Sequence, residues 1–543
     1  MKKLLFLFVA SLILSSCSQQ KADLIIFNGK VYTVNSKFDM AEAIAVKDGK
    51  IIGVGSTADI RRQFKGTEEV DAQGKAVYPG FIDAHAHFMG YGQSLQSADL
   101  RGTESWDEVL TKLSEFAKTN TTGWLIGRGW DQNDWDNKQF PTKERLDLLF
   151  PNRPVLLERI DGHAAIVNQK ALDEAGISKS FALTGGDIVE KDGKLTGLLV
   201  DNAVGLVQNK IPAPDAKQLE KIFLDAQKNC FSVGLTTIDD CGLDFEAVDF
   251  IEKMQAKKTL KMRLYVMLSD TEKNFDYLFK RGVIKTDRLN VRAFKVYADG
   301  ALGSRGACLL HPYSDMPTKK GFLLSETKHF EEVAKKINEH NFQMCTHAIG
   351  DSANRTILKI YNQVLGAKND KRWRIEHAQV VAQADFNLFG SASIIPSVQP
   401  THATSDMYWA GDRLGSERVK GAYAYKQLMD QNGWIPLGTD FPVEQINPMF
   451  TFFAATARKD QKDFPKNGYQ IENALTAEQA LRGMTIWAAK ANFEEHEKGS
   501  LEVGKFADFI ILENDIMKAT AAQILQNKVL KTYVNGEKVY EKK

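Results

Sequence analysis

The stretch "YPGFIDAHAHF", residues 78–88, decides how this chain is read. A Pro79-Gly80 turn pair leads into a short apolar run that ends in two histidines one residue apart, His85 and His87. Side chains two apart on a strand share a face, so both imidazoles can point at one ion. With ten histidines in 543 residues, an accidental His-x-His is expected about 0.2 times per chain, so the pair needs context.

Working outward, the run "AVYPGFIDAH" (76–85) is the first of eight short β-rich segments. The others are 235–240, 263–268, 291–298, 343–347, 373–377, 392–399 and 434–440, with helical patterns at 327–339, 352–366, 417–431 and 476–490. Strands alternating with amphipathic helices predict a parallel α/β fold, and eight units predict a (β/α)8 TIM barrel whose reacting groups sit at the C-terminal strand ends. About 150 residues separate the first two segments, far more than a βα connection needs. This part (about 90–230) contains a helix at 105–119, "VLLERI" (155–160), the hairpin-like "GGDIVEKDGKLTGLLV" (185–200) and the Trp- and Asp-dense "GRGWDQNDWD" (127–136). It reads as an insertion over the barrel mouth; the alternative makes "VLLERI" a barrel strand.

Residues 22–79 and 491–543 share a different texture of strands and tight turns, with Asn28-Gly29, Asp48-Gly49 and Asn535-Gly536 as hairpin signals. Neither piece is large enough to bury a core alone. The expectation is one small β-sandwich domain built from both chain segments, with Pro79-Gly80 opening a barrel that spans 80–490.

The placement of polar residues supplies the context. Lys295 sits on the fourth segment, while His347, His377 and Asp440 end the fifth, sixth and eighth. Together with His85 and His87 they converge on one mouth, and imidazole and carboxylate suit zinc and similar divalent ions.

The pieces "YPGFIDAHAHF", "FKVYADGALGSRGA", "THAIGDSA", "RIEHAQ", "GTDFPV" and "EKGSLEVGKFADFIIL" occur in this order. They resemble the amidohydrolase superfamily of metal-dependent hydrolases, and within it the amidohydrolase 3 group that includes N-substituted formamide deformylase-like proteins. The resemblance implies a one- or two-metal centre, with zinc as the expected ion. His85, His87 and Asp440 would hold the first metal and His347 and His377 the second. Lys295 would bridge both if carboxylated, because an ammonium group has no lone pair to offer; unmodified, it leaves a one-metal site. The implied activity is hydrolysis of a non-peptide C–N bond in a small amide, formamide or cyclic amide by metal-activated hydroxide, with Asp440 as general base and then acid. Expected substrate contacts are His163 in "RIDGHAAIVN", Trp130 with its neighbours Asp131 and Trp135, Asp299 and Arg305; Asp299 has the alternatives of a plain turn or of supporting a metal ligand, and Arg305 that of pairing with a carboxylate. Competing readings are deamination or ester and lactone hydrolysis at the same site, and a lipid-anchored binding protein with an inactive site. All six ligand positions are filled, which weighs against the last.

Composition narrows the partners. A formal net charge of +1 argues against nucleic-acid binding, which needs a basic excess; homo-oligomerisation stays open. "MKKLLFLFVASLILSSCSQQ" (1–20) has the layout of an export signal, and Leu14-Ser15-Ser16-Cys17 resembles a bacterial lipobox. The expectation is a mature chain starting at Cys17, lipid-anchored to a membrane of the bacterial cell envelope and facing the periplasm. Cys230, Cys241, Cys308 and Cys345 read as free thiols.

Overall fold

The structure is a computed structural model that describes residues 19–543. The expected export signal up to Cys17 lies outside these residues. Among the described residues no helix is long and apolar enough to cross a membrane.

The opening stretch divides in two. Ala76–Pro79 pairs with strands of a sheet built from both chain segments, whereas Phe81–Ala86 is the first barrel strand. Gly80 is the hinge: a Cβ here would lie 2.3 Å from Thr236 Oγ1, so only glycine allows the approach. Six further parallel strands follow: Leu235–Leu243, Arg263–Ser269, Leu289–Tyr297, Gln343–Ala348, Arg374–His377 and Ile395–Ser397. The eighth position is filled by 434–440 without a regular ladder. Gly438 N–H donates to Val398 O at 3.0 Å, Ala84 N–H to Leu437 O at 3.2 Å and Asp440 N–H to His85 O at 2.7 Å, which closes the barrel. Pro436 has no N–H and Asp440 sits at φ 64°, so regular pairing cannot run through this segment. Helices cover the outside; Thr327–Glu339 buries Phe330, Val333, Ala334 and Ile337, the spacing of one helical face. The helices expected at 417–431 and 476–490 are each broken into two, Ala410–Arg418 with Tyr425–Asn432 and Ala477–Gly483 with Ile486–Ala491.

The sandwich consists of a four-stranded sheet (Lys50–Gly55, Ala43–Lys47, Gln20–Phe27, Phe64–Asp71) and a six-stranded one (Glu537–Glu541, Val529–Val534, Phe509–Leu512, Ala76–Pro79, Lys30–Tyr32, Met40–Ala41). Ile26, Ile44, Val77, Phe509 and Tyr533 form the core between them. Asp48-Gly49 and Asn535-Gly536 make true hairpins, with φ of 50° and 76° and of 53° and 69°. Asn28-Gly29 does not: the strands on either side of it lie in different sheets, so the turn is a corner between them.

"VLLERI" is not a barrel strand. Val155–Arg159 belongs to a mixed six-stranded sheet wholly within the insertion, ordered Gly186–Lys191, Lys194–Asp201, Ala164–Val167, Val155–Arg159, Leu125–Trp130, Ala98–Asp99. Alternate residues serve two cores: Leu157, Ile166 and Leu198 pack on one face, and Leu156, Val167 and Leu199 on the other. The four cysteines are free.

Candidate metal centre

The first barrel strand delivers His85, and His87 follows at the start of helix Phe88–Ser94. Each ring is fixed through one nitrogen. His85 Nδ1 lies 2.6 Å from Glu376 Oε2, His87 Nδ1 lies 3.0 Å from Cys241 O, and His377 Nδ1 lies 2.8 Å from Gln399 Oε1. In all three the partner is an oxygen acceptor, so Nδ1 carries the hydrogen and Nε2 carries the lone pair. These lone pairs turn toward a common point. His87 Nε2 is 3.2 Å and His85 Nε2 is 3.6 Å from Asp440 Oδ1. Ligand atoms of His85, His377 and Asp440 all lie within 4.8 Å of one another, and the His347 ring is 4.5 Å from that of His377.

The donor chemistry fits a divalent ion. Acceptor facing acceptor in a buried site is repulsive unless a cation lies between them. Consistently, buried His347 Nε2 and Asp440 Oδ1 have no hydrogen-bond partner among the described residues. An oxygen holding the far nitrogen, as for His85, His87 and His377, is the arrangement that orients metal-binding histidines. Burial pushes the His85 imidazole down to about 4, and burial with neighbouring positive charge holds His347 and His377 well below the usual range. All three are therefore neutral at neutral pH, as ligation requires. Burial works against the Asp440 carboxylate, but the hydrogen bond from His402 and the neighbouring imidazoles outweigh it and hold its pKa well below the ordinary value. Lys295 is 1% exposed, with Nζ 3.1 Å from His85 Nε2. The backbones of His377 and Asp440 adopt φ of 72° and 64°, left-handed values that non-glycine residues rarely take and that recur at functional sites.

Two residues that the sequence reading passed over belong to this centre. His402 bridges two carboxylates, with Nε2 3.3 Å from Asp440 Oδ2 and Nδ1 3.1 Å from Glu444 Oε1; against the effect of burial, these bonds push it up to about 10. Glu376 is fully buried beneath His85. The available signals were the position of His402 just after the seventh strand and the adjacency of Glu376 to His377.

Two cavities open on the centre. One of about 240 Å³ lies between the barrel mouth and the insertion, lined by Asp131, Asp161, His402 and Asp406; the other, of about 1020 Å³, extends along the other flank past His87, Lys295 and Tyr297. His163, His347, His377 and Asp440 line both.

Two expected substrate contacts, Trp130 and Arg305, are placed elsewhere. Trp130 is fully buried in the insertion core, its Nε1 donating to Leu157 O at 2.8 Å, and it faces neither cavity. Trp135 packs in the same core, while Asp131 lines the smaller cavity and pairs with Arg159. Asp299 is buried beside the centre, its Oδ1 3.8 Å from His347 Nε2, and accepts N–H bonds from Cys308, Ile349 and Gly350 at 2.8–2.9 Å; burial pushes it up to about 7. Arg305 pairs with Asp315 at 2.8 Å away from the centre, which realises the carboxylate alternative.

Residues 68–540 match the amidohydrolase family. The chain is 33% identical to the protein LONG AFTER FAR-RED 3 of Arabidopsis thaliana, covering 96% of this chain and 92% of that one. It is 26% identical to N-substituted formamide deformylase of Arthrobacter pascens, covering 96% and 99%. The crystal structure of an uncharacterized metal-dependent hydrolase from Pyrococcus horikoshii OT3 superimposes with a TM-score of 0.75 at 26% identity, covering 92% and 99%. The match spans both parts of the sandwich, the barrel and the insertion between them: the chain belongs to the amidohydrolase family.

Proposed function

We propose that this hydrolase cleaves a non-peptide C–N bond in a small amide, formamide or cyclic amide, yielding a carboxylate and an amine. The observation that carries the reading is the convergence of the His85 and His87 Nε2 lone pairs on Asp440 Oδ1, with His347 and His377 beside them. His85, His87 and Asp440 would hold one ion, and His347 and His377 a second; Lys295, once carboxylated, would bridge the two. Zinc suits this N and O donor set. A divalent ion held there supplies Lewis acidity and lowers the proton affinity of water.

The chain's own groups handle the proton. Asp440 stays ionised to low pH and its Oδ2 is held by His402, so it accepts the proton that the attacking water loses and passes it to the departing nitrogen. His402, kept cationic by Glu444, holds that carboxylate in place. The relative named a formamide deformylase places N-substituted formamides among the first compounds to try.

The test is metal analysis of the purified protein, followed by a panel of N-butylformamide, N-butylacetamide and succinimide scored for released amine, ammonia and acid. Bound zinc with release of amine or ring-opened acid is expected. A protein without metal at neutral pH, or one inert toward the panel, overturns the reading. Anchoring through a lipid on Cys17 belongs to the same proposal; Cys17→Ser should move the protein from the membrane to the soluble fraction, and an unchanged distribution refutes it.

A further inference from the structure

A third cavity, of about 410 Å³, shares Trp409 with the smaller of the two described above. It lies at a seam. The insertion supplies Asn133 and Lys138, the segment after the fourth barrel strand supplies Arg305 and Asp315, and the segment after the seventh supplies Trp409 and Arg413.

The charges around it do not balance. Asp315 Oδ2 receives Arg305 Nη2 at 2.8 Å and also contacts Arg413 Nη1, so one carboxylate stands between two guanidiniums. Burial, with the positive charge of Arg305 and Arg159, pulls Arg413 below its ordinary value in spite of Asp315. Exposed Lys138 and Asp412 complete the set, so three cations face two carboxylates.

The hydrogen bonds are also incomplete. Asn133 is 9% exposed, and its Oδ1 accepts from Arg413 Nη2 at 2.9 Å and from Gln132 Nε2 at 3.2 Å. Those two bonds fix the amide and leave the Nδ2 hydrogens without an acceptor among the described residues. Arg413 is 5% exposed, and its Nε–H is likewise without an acceptor. Buried donors are normally paired. Two that are not, beside one cavity with surplus positive charge, match a ligand that brings negative charge and several acceptor oxygens.

We propose that this seam binds a tetrahedral oxyanion, a phosphate group, held by Arg305, Arg413, Lys138 and the Asn133 amide. A planar carboxylate presents its oxygens to one side, whereas the donors here come from three chain segments around a cavity. Because those segments belong to both the insertion and the barrel, the anion ties one to the other. The site is separate from the metal centre and goes beyond the hydrolase reading, and its occupancy is measurable without turnover.

The test is calorimetric titration of the zinc-loaded full chain with inorganic phosphate and with glycerol 3-phosphate at fixed ionic strength, followed by hydrogen exchange with and without the anion. Saturable binding is expected, with slower exchange at 131–139 and 409–415. Whichever of the two anions binds more tightly identifies the source of the phosphate group and supports the proposal. Arg305→Met should weaken binding about tenfold or more, the loss of a charge-assisted hydrogen bond. Lys138→Met should weaken it less, and Asp412→Asn should strengthen it by removing a like charge. Phosphate held by zinc would be indifferent to Arg305, so an Arg305→Met affinity within twofold of wild type overturns the proposal. Protection confined to the barrel-strand ends, or no saturable binding up to about 10 mM of either anion, overturns it as well. Should Arg305→Met fail to fold, Lys138→Met and Asp412→Asn decide in its place, and unchanged affinity in both refutes the site.

Discussion

Replacing Glu376 tests the metal centre from beneath, without touching a ligand. Its carboxylate is fully buried and receives the His85 Nδ1–H at 2.6 Å. Burial opposes its ionisation, but His85 and Arg374 hold the pKa below the usual glutamate value, so the charge is present at neutral pH. Glu376→Gln keeps an oxygen acceptor at the same place and removes only the charge. A charge-assisted hydrogen bond is about twice as strong as a neutral one, a difference of about 1–1.5 kcal/mol. That is roughly a tenfold loss of metal affinity at about 1.4 kcal/mol per decade. Glu376→Ala goes further, because it leaves Nδ1–H without an acceptor in a dry site and frees the ring to turn. The loss should approach about 100-fold, the upper end for residues that support a ligand. Zinc affinity measured by competition with a chromophoric chelator should therefore rank wild type above Glu376→Gln above Glu376→Ala. If both variants bind zinc within twofold of wild type, His85 does not ligate through Nε2 and the reading of the centre fails.

Three other substitutions probe separate links. Asp440→Asn should retain zinc yet lose about 100-fold or more in kcat, since the amide cannot accept a proton; a full-rate variant refutes the role. Asp508 joins the sandwich to the barrel, accepting from Arg263 at 2.5 and 2.9 Å with both side chains buried. Asp508→Asn should cost about 3–5 kcal/mol in denaturant unfolding at pH 7, as the Arg263 charge is left unpaired. Burial alone would raise the Asp508 pKa, but Arg263 pulls it below its ordinary value, so the unfolded chain binds the proton more readily. The stabilisation is thus complete above the unfolded value near about 4 and fades as pH falls through the lower folded value, so the deficit of Asp508→Asn should shrink in acid. Gly80→Ala places a methyl 2.3 Å from Thr236 Oγ1 and should destabilise by about 1–3 kcal/mol, with recovery in Gly80→Ala/Thr236→Ala; a neutral single variant would show that the strand-to-barrel junction is loose.

What sequence makes legible here follows from local periodicity. His85, His347 and His377 could be placed because each closes a short apolar run, and a strand end is a local property. The regular ladder at 434–440 is missing because Pro436 lacks the N–H, and a barrel can still be closed there by a few longer-range bonds. Trp130 was misplaced because an aromatic, acidic stretch reads the same whether it faces a ligand or the core of its own sheet. Arg305 was misplaced because its partner, Asp315, becomes a neighbour only once the loops are folded. His402 and Glu376 were left without a role for the same reason. Their partners lie 38 and 291 residues away, and no local pattern encodes such a pairing.

The geometry also separates chemistry from selectivity. The ligands sit at the ends of barrel strands whose positions are set by a closed hydrogen-bonded sheet, so little about their placement can vary. The outer wall comes from the insertion. That insertion packs a sheet between two apolar cores of its own and presents Asp131, Asp161 and His163 to the smaller cavity. The cavity-facing Asp131, Asp161 and His163 lie in the connections beyond the strand ends, so they can change while both cores stay intact. Differences in substrate on this architecture should therefore trace to the insertion residues that line the cavities, with the barrel-end ligands left unchanged.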